Sequence, residues 1–442
     1  MLKRSLEETL LKWKTSPLRK PLIIRGARQV GKTSLVRKFG TNHFAQMIEI
    51  NLEKKDHFAI FDKATSVEDF LKRVSLFFDQ KIISHQTLLF IDEIQESQNM
   101  MELLRFFAEE KPDLPVITAG SLLEAKIRKD WSIPVGSVDY AYLYPMTFFE
   151  YLHAKGKDTL LETLQKLTVN DKFEFGNLAN ELFKEYVTIG GMPEVVQQFV
   201  QNGSYDDIQV ILNRLHTAYV DDIRKYATTN EENKYIEQVV ENGPKIAGSV
   251  FTYEGFGGSA YRSREMSEAV RTVEKVMLLR QVMAVNSTTL PITPKSKRSK
   301  KMIWLDVGIV NFVNHAYHDL ILGEYKGKIM EQVVGQSLIA GGIDHQFDVY
   351  YWAKDRNEGS AEVDFYFQYN SRTVGMEIKS GNSVKMKSLF SLGNTNDKII
   401  LVRVSWDPLK AETFESAGQT YRVLSLPFYL INRWQSLVDQ FV

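Results

Sequence analysis

Apolar residues recur three and four apart over residues 3–14, where Leu6, Leu10 and Trp13 share one face and Lys and Glu fill the other. This is the period of an amphipathic helix, and Ser16-Pro17 ends it. The period then collapses to a short apolar run, Leu22 to Arg25, that predicts a buried strand. A helix over 32–39, a strand over 47–52 and a helix over 66–83 follow, the last with Val67, Phe70, Leu71, Val74 and Phe77 on one stripe. Thr87 to Ile91 is again continuous and apolar, and Val116 to Ser121 makes another short strand. Residues 147–230 read as mostly helical, broken at Ile189-Gly190-Gly191-Met192-Pro193, where Pro193 is suited to start the next helix. Residues 231–305 predict a helix, a Gly-rich loop (253–259), a helix with Met266, Ala269, Val270, Val273 and Val276 aligned, and strands over 282–285 and 302–305. Beyond about residue 326 a helix over 328–340 precedes strands over 347–352, 362–367, 373–380, 398–404 and 421–426, and residues 430–442 close the chain as a helix.

Composition narrows this only slightly. The 442 residues allow two to four domains on a prior of roughly 150 residues each. Lys+Arg and Asp+Glu both number 55, so contact with nucleic acid has to come from a local basic patch and not an overall positive field. The absence of cysteine excludes disulfides and thiolate metal sites and fits a reducing compartment. The charged start, Met1-Leu2-Lys3-Arg4, lacks the apolar core of a signal peptide, and no apolar run reaches the roughly 18 residues of a membrane span, so a cytoplasmic location without membrane contact is expected.

Two strand ends carry chemistry. Gly26-Ala27-Arg28-Gln29-Val30-Gly31-Lys32-Thr33-Ser34 is a P-loop, G-x-x-x-x-G-K-T, with a strand before it and a helix after it. The glycines let consecutive N–H groups face phosphates, the helix presents its positive end, Lys32 can reach the β- and γ-phosphates, and Thr33 can ligate Mg²⁺. Asp92-Glu93, ending the Thr87 strand, fit the Walker B position: Asp92 to hold Mg²⁺ and Glu93 to polarise the attacking water. Ser121 or Thr118 is the candidate γ-phosphate sensor on the next strand, against a plain turn, and Arg105 is expected to be an exposed helix charge.

Further on, Pro294-Lys295-Ser296-Lys297-Arg298-Ser299-Lys300-Lys301 joins two predicted strands after a helix, the layout of a winged helix whose basic tip (Lys295, Lys297, Arg298, Lys300, Lys301) can lie on DNA phosphates; a solvated turn reads equally well. In the last part Asp364 stands on one strand and Glu377-x-Lys379 on the next, so alternation puts Glu377 and Lys379 on one face. The spacing resembles the PD-(D/E)XK nuclease fold, with Asp364 and Glu377 as metal ligands, Lys379 activating water and Glu331 completing the acidic cluster. A charged surface hairpin, or a nuclease-like fold kept as a binding module, has the same pattern.

Gly26 to Thr33, Phe90-Ile91-Asp92-Glu93-Ile94-Gln95, Ala119-Gly120-Ser121 and Leu143-Tyr144-Pro145-Met146-Thr147-Phe148-Phe149-Glu150-Tyr151 resemble a widespread prokaryotic family of predicted AAA-type ATPases with a C-terminal domain of uncharacterised function. The likeness continues through Gly190 to Pro193, Asp222-Ile223, Asp306 to Gly308 and Glu362 to Phe365. Members usually carry Gly-Arg before the Leu-Tyr-Pro segment; here Ser137 follows Gly136, so a role for that arginine is not carried over. The resemblance implies an α/β multidomain chain: an AAA-type parallel-sheet core (1–150), a helical lid over the nucleotide (151–230) with Arg214 and Arg224 as candidates for its sensor arginine, a winged-helix-like middle (231–310) and a nuclease-like C-terminal domain (326–442). ATP and Mg²⁺ are the expected cofactors and an oligomer is compatible. The expected function is ATP hydrolysis by a motor or switch acting on nucleic acid. The alternatives are an ATP-regulated DNA-processing nuclease and a slow nucleotide switch that binds DNA or a protein.

Overall fold

The computed structural model describes residues 2–120, 136–227, 229–316, 323–355, 359–381 and 386–442. The N-terminal part is built on a parallel sheet of β1 (Leu22–Arg25), β2 (Gln46–Asn51), β3 (Thr87–Asp92), β4 (Val116–Gly120) and β5 (Asp139–Tyr142) in the order β2-β3-β4-β1-β5. β3 and β4 are buried along their whole length, as their unbroken apolar sequences require. β1 and β3 therefore open their C-terminal ends, with the P-loop and Asp92, at the same edge of the sheet, where ligands of such sheets bind. Helix Val67–Phe78 stops earlier than the pattern predicts because Asp79 turns left-handed at φ 51°. β5 has no counterpart among the predicted strands: Asp139-Tyr140-Ala141-Tyr142 shows no apolar run, and only pairing with β1 makes it a strand.

Five helices, Phe148–Ala154, Asp158–Lys166, Gly176–Ile189, Pro193–Asn202 and Tyr205–Ile223, make the expected helical section. Helix Phe148–Ala154 starts in a capping box, Thr147 with Glu150. After these helices a mixed sheet of nine strands takes over: β6 (Val250–Phe251), β7 (Leu279–Val285), β8 (Lys300–Trp304), β9 (Tyr350–Ala353), β10 (Glu362–Tyr369), β11 (Arg372–Lys379), β12 (Ile399–Ser405), β13 (Lys410–Ser416) and β14 (Gln419–Pro427), ordered β13-β14-β12-β11-β10-β9-β7-β8-β6. β13 carries no strand signal in the sequence because it is a polar edge strand with alternate residues exposed.

β7 serves two partners with its two halves. Leu279 to Val282 pair antiparallel with β8, and Met283 to Val285 pair in parallel with β9. The hairpin read as a wing is thus continuous with the C-terminal sheet, which runs across the expected division between 231–310 and 326–442. Helix Gly323–Ala340 is tied to the end of β8 by Gln332, whose amide accepts from Trp304 N and donates to Trp304 O, both at 2.8 Å. One buried apolar cluster runs from Leu6 through the helical section to Phe441, while a separate cluster packs the far face of each sheet. No helix among the described residues is long and apolar enough to cross a membrane.

Candidate nucleotide site and the C-terminal acidic cluster

The P-loop leaves β1 through a close passage. A Cβ on Gly26 would stand 2.3 Å from the Leu143 carbonyl oxygen, so the β1 end and the Leu143 backbone can meet only at glycine. Gly31 has φ 95° and hands the chain to helix Lys32–His43, aiming the first helical N–H groups into the loop. Lys32 is only 7% exposed and its Nζ donates to the carbonyls of Gly26 (2.9 Å) and Ala27 (2.8 Å). Burial pushes its pKa down to about 8, against the pull of Glu93 and Asp92. Thr33 Oγ1 donates to Asp92 Oδ2 at 2.8 Å. Desolvation pushes the Asp92 carboxyl up to about 6, with the Thr33 hydrogen bond opposing and Glu93 reinforcing. Glu93 follows in a left-handed conformation, φ 53°, that a non-glycine residue adopts only under constraint; Gln95 Nε2 donates to its Oε2.

Arg28, Gln29, Gly31, Lys32, Thr33, Ser34 and Glu93 line a cavity of about 700 Å³, completed by Leu2, Arg4, Leu35, Glu53, Pro193, Glu194 and Gln197. That is a volume typical of small-molecule sites. Ala27 and Val30 are buried in the core behind it, and Asp92 stands behind Thr33. Thr118 lies inside β4, fully buried and away from the cavity lining, while Ser121 lies outside the described residues. Arg105 is exposed and pairs with Glu109 at 2.8 Å. Arg214 pairs with Glu194 on the cavity rim, whereas Arg224 pairs with Asp221 and Glu237 elsewhere.

Two arginines at this site have roles that the sequence does not announce. Arg4, 6% exposed, donates from Nη1 to Val30 O (2.8 Å) and from Nη2 to Tyr144 O (2.6 Å), and its Nε lies 3.2 Å from Glu150. Arg28 reaches out of the P-loop to Asp222 (3.1 Å) and Glu53 (3.3 Å), while Tyr219 Oη donates to Arg28 O at 2.9 Å. The separations, 26 residues from Arg4 to Val30 and 191 from Arg28 to Tyr219, leave no local signal.

In the C-terminal sheet Phe365 faces Met376, which brings Asp364 and Glu377 side by side one step along. Asp364 Oδ2 accepts from Ile378 N at 2.8 Å, and Lys379 Nζ donates to Glu377 Oε1 at 2.6 Å. Glu331 joins them from helix Gly323–Ala340. Burial, reinforced by the Asp364 charge, raises the carboxyl pKa of both Glu331 and Glu377. Glu377 Oε2 is buried and has no hydrogen-bond partner among the described residues.

The basic hairpin requires a correction. Lys301, expected on DNA phosphates, is 1% exposed and its Nζ stands 2.6 Å from Glu331, 3.4 Å from Asp364 and 3.7 Å from Glu362. Arg298 is drawn onto the carbonyls of Ala353 (3.0 Å) and Lys354 (2.8 Å) and onto Asp355 (2.8 Å), and Lys300 donates to the Tyr253 hydroxyl. The physical reason is that β8 begins at Lys300, so the charge run enters the sheet and alternation turns Lys301 inward. Lys295 and Lys297 stay exposed.

Residues 18–152 match the family model described as an AAA domain; residues 180–318 and 326–428 match two domains of unknown function, DUF8612 and DUF4143. Residues 18–152 are therefore an AAA-type P-loop domain, carried in a chain with an α/β multidomain fold. Similar solved structures include the Aeropyrum pernix Orc1 protein in complex with DNA (10% identity, 73% of this chain and 95% of that one, TM-score 0.31). They also include the Thermotoga maritima RuvB Holliday junction branch migration motor (15%, 64% and 90%, TM-score 0.26). A third is AMPPCP-bound DnaA from Aquifex aeolicus (14%, 61% and 86%, TM-score 0.29). No curated protein matches the chain.

Proposed function

We propose that the chain binds ATP with Mg²⁺ and hydrolyses it, and that the nucleotide state works a cytoplasmic switch acting on nucleic acid. The observation that carries this reading is the meeting of Lys32, Thr33, Asp92 and Glu93 at one edge of the parallel sheet. Mg²⁺ fits the residues present: a hydroxyl and a carboxylate 2.8 Å apart are the oxygen donors it takes, and the desolvated Asp92 is a carboxylate that a cation relieves. Thr33 and Asp92 would hold the ion, which when bound supplies charge stabilisation on the phosphates.

The chain's own residues do the rest. The P-loop N–H groups and the N-terminus of helix Lys32–His43 cradle the phosphates. Lys32 exchanges its bonds to Gly26 O and Ala27 O for phosphate oxygens as ATP enters. Glu93, fixed by Gln95, orients a water against the γ-phosphorus and takes its proton as the bond to the bridging oxygen breaks. In Glu93→Gln, ATP turnover falls by at least about 100-fold while ATP binding persists. An unchanged turnover rate in that variant would refute the assignment of Glu93.

A switch reading is favoured by the contact of Arg28, inside the P-loop, with Asp222 on helix Tyr205–Ile223. Any phosphate bound in the loop competes for the same guanidinium. On the nucleic-acid side, Lys295 and Lys297 are the ammonium groups of the basic hairpin left exposed to phosphates.

A further inference from the structure

The spacing Asp364, Glu377-x-Lys379 resembles a metal-dependent nuclease site, and the residues do come together. Another residue is already among them. Lys301 projects from β8 into the cluster, where its ammonium meets carboxylates from two elements: Glu331 on helix Gly323–Ala340, and Glu362 and Asp364 on β10. It is 1% exposed, and its shell is completed by the Asp364 carbonyl at 3.4 Å and by the Tyr351 and Phe365 rings at 5.7 and 5.5 Å. Three carboxylates around one ammonium make this a buried ion cluster and not a lone buried charge.

We propose that Lys301 is a tethered cation standing where a divalent metal would have to sit among Glu331, Glu362 and Asp364, and that with Ile378 N on the other Asp364 oxygen it occupies the carboxylate a metal shared with Glu377 would also need, so that the cluster is closed to Mg²⁺ and Mn²⁺ and the C-terminal domain is a binding module in place of a metal-dependent nuclease. Mg²⁺ holds its oxygen ligands at roughly 2.0–2.1 Å, and an ion placed on these carboxylates would be pressed against the fixed positive charge. The lysine is not carried on a movable lid. Lys301 pairs with Val282 on β7 and with Val250 on β6, and Gln332 binds the backbone of Trp304 at the other end of the strand. The fold therefore builds the positive charge into the site, and the joint between the β6–β8 region and the C-terminal strands is partly this ion cluster.

The test is Mn²⁺ binding followed by electron paramagnetic resonance on the full-length protein without nucleotide. Wild type and Asp364→Asn give the same titration, because the carboxylate is already taken by Lys301. Lys301→Met acquires a Mn²⁺ site at least tenfold tighter than anything in wild type, and adding Asp364→Asn removes it. The proposal is overturned if wild type holds a Mn²⁺ ion that Asp364→Asn releases, or if folded Lys301→Met gains none. Should Lys301→Met not fold, the comparison of wild type with Asp364→Asn decides alone. The ATP site is untouched by these substitutions, so ATP turnover stands or falls separately.

Discussion

At the scale of single residues, burial decides what the charged side chains can do. Lys32 is an ordinary lysine in sequence, but in place its ammonium donates to two neutral carbonyls of its own loop, bonds that an anion in the loop would replace. Asp306 shows the same control without a ligand. It is fully buried and accepts from Gly191 N (2.7 Å) and Gly308 N (2.9 Å), joining the turn before helix Pro193–Asn202 to the start of helix Val307–Val313. Desolvation pushes its pKa from 3.8 up to about 6, opposed by those hydrogen bonds; Tyr186 and Tyr219 are titratable neighbours that feel its charge. The folded protein thus keeps a proton on Asp306 that the unfolded chain loses near pH 4. Folded protons outnumber unfolded ones between about pH 4 and 6, so this group makes stability fall as pH rises through that window. Denaturant melts across it should show a decline of order 3 kcal/mol from this residue in wild type. Asp306→Asn should flatten that slope and lower stability at pH 7 by about 1–3 kcal/mol, because an amide turns a donor toward a backbone N–H.

Among elements, the important contact is between the P-loop and helix Tyr205–Ile223. Arg28 pairs with Asp222 and Tyr219 holds the Arg28 carbonyl, so the loop conformation and the helix position are linked by two bonds from neighbouring turns. Asp222 is 8% exposed on its side chain, which protects the pair from solvent far better than a surface ion pair is protected. Asp222→Asn should leave Lys32, Thr33 and Glu93 in place yet loosen the helix from the loop. The expected outcome is a nucleotide-dependent change in proteolysis or hydrogen exchange of helix Tyr205–Ile223 in wild type that is at least halved in the variant. Arg4 secures the opposite side of the loop from two residues ahead of helix Leu6–Thr15, through Val30, Tyr144 and Glu150. Arg4→Ala should therefore weaken ATP binding severalfold and lower the melting temperature, since it takes the counter-charge from the buried Glu150 and the Arg4 donors from two carbonyls.

For the whole molecule, the buried cluster from Leu6 to Phe441 makes the P-loop site, the helical section and the C-terminal sheet neighbours in one core. The same packing changes the electrostatic account of any nucleic-acid contact. With Lys301 buried and Arg298 and Lys300 occupied, the hairpin offers Lys295 and Lys297 where sequence offered five cations. If DNA binds there, the slope of log affinity against log salt should drop by about two on replacing both lysines with Ala, and hardly at all for Lys301→Met. A slope unchanged by the double substitution would move the DNA contact elsewhere on the protein.

What the sequence determined by itself was whatever short-range spacing encodes: the P-loop between its strand and helix, Asp92-Glu93 at the end of an apolar run, Glu377 and Lys379 on one face of a strand. Each is set by two or three turns of backbone geometry, so a dozen residues suffice to specify it. β5 and β13 are not legible there because edge strands need no apolar signature, nor are the Arg4 and Arg28 contacts, whose partners are distant along the chain. Only the tertiary structure decided the sign of the C-terminal cluster. β7 gives one half to β8 and the other to β9, and this brings Lys301 from a basic turn into the midst of Glu331, Glu362 and Asp364. A lysine read as surface charge becomes an interior counter-ion because desolvation and three carboxylates leave it no other partner.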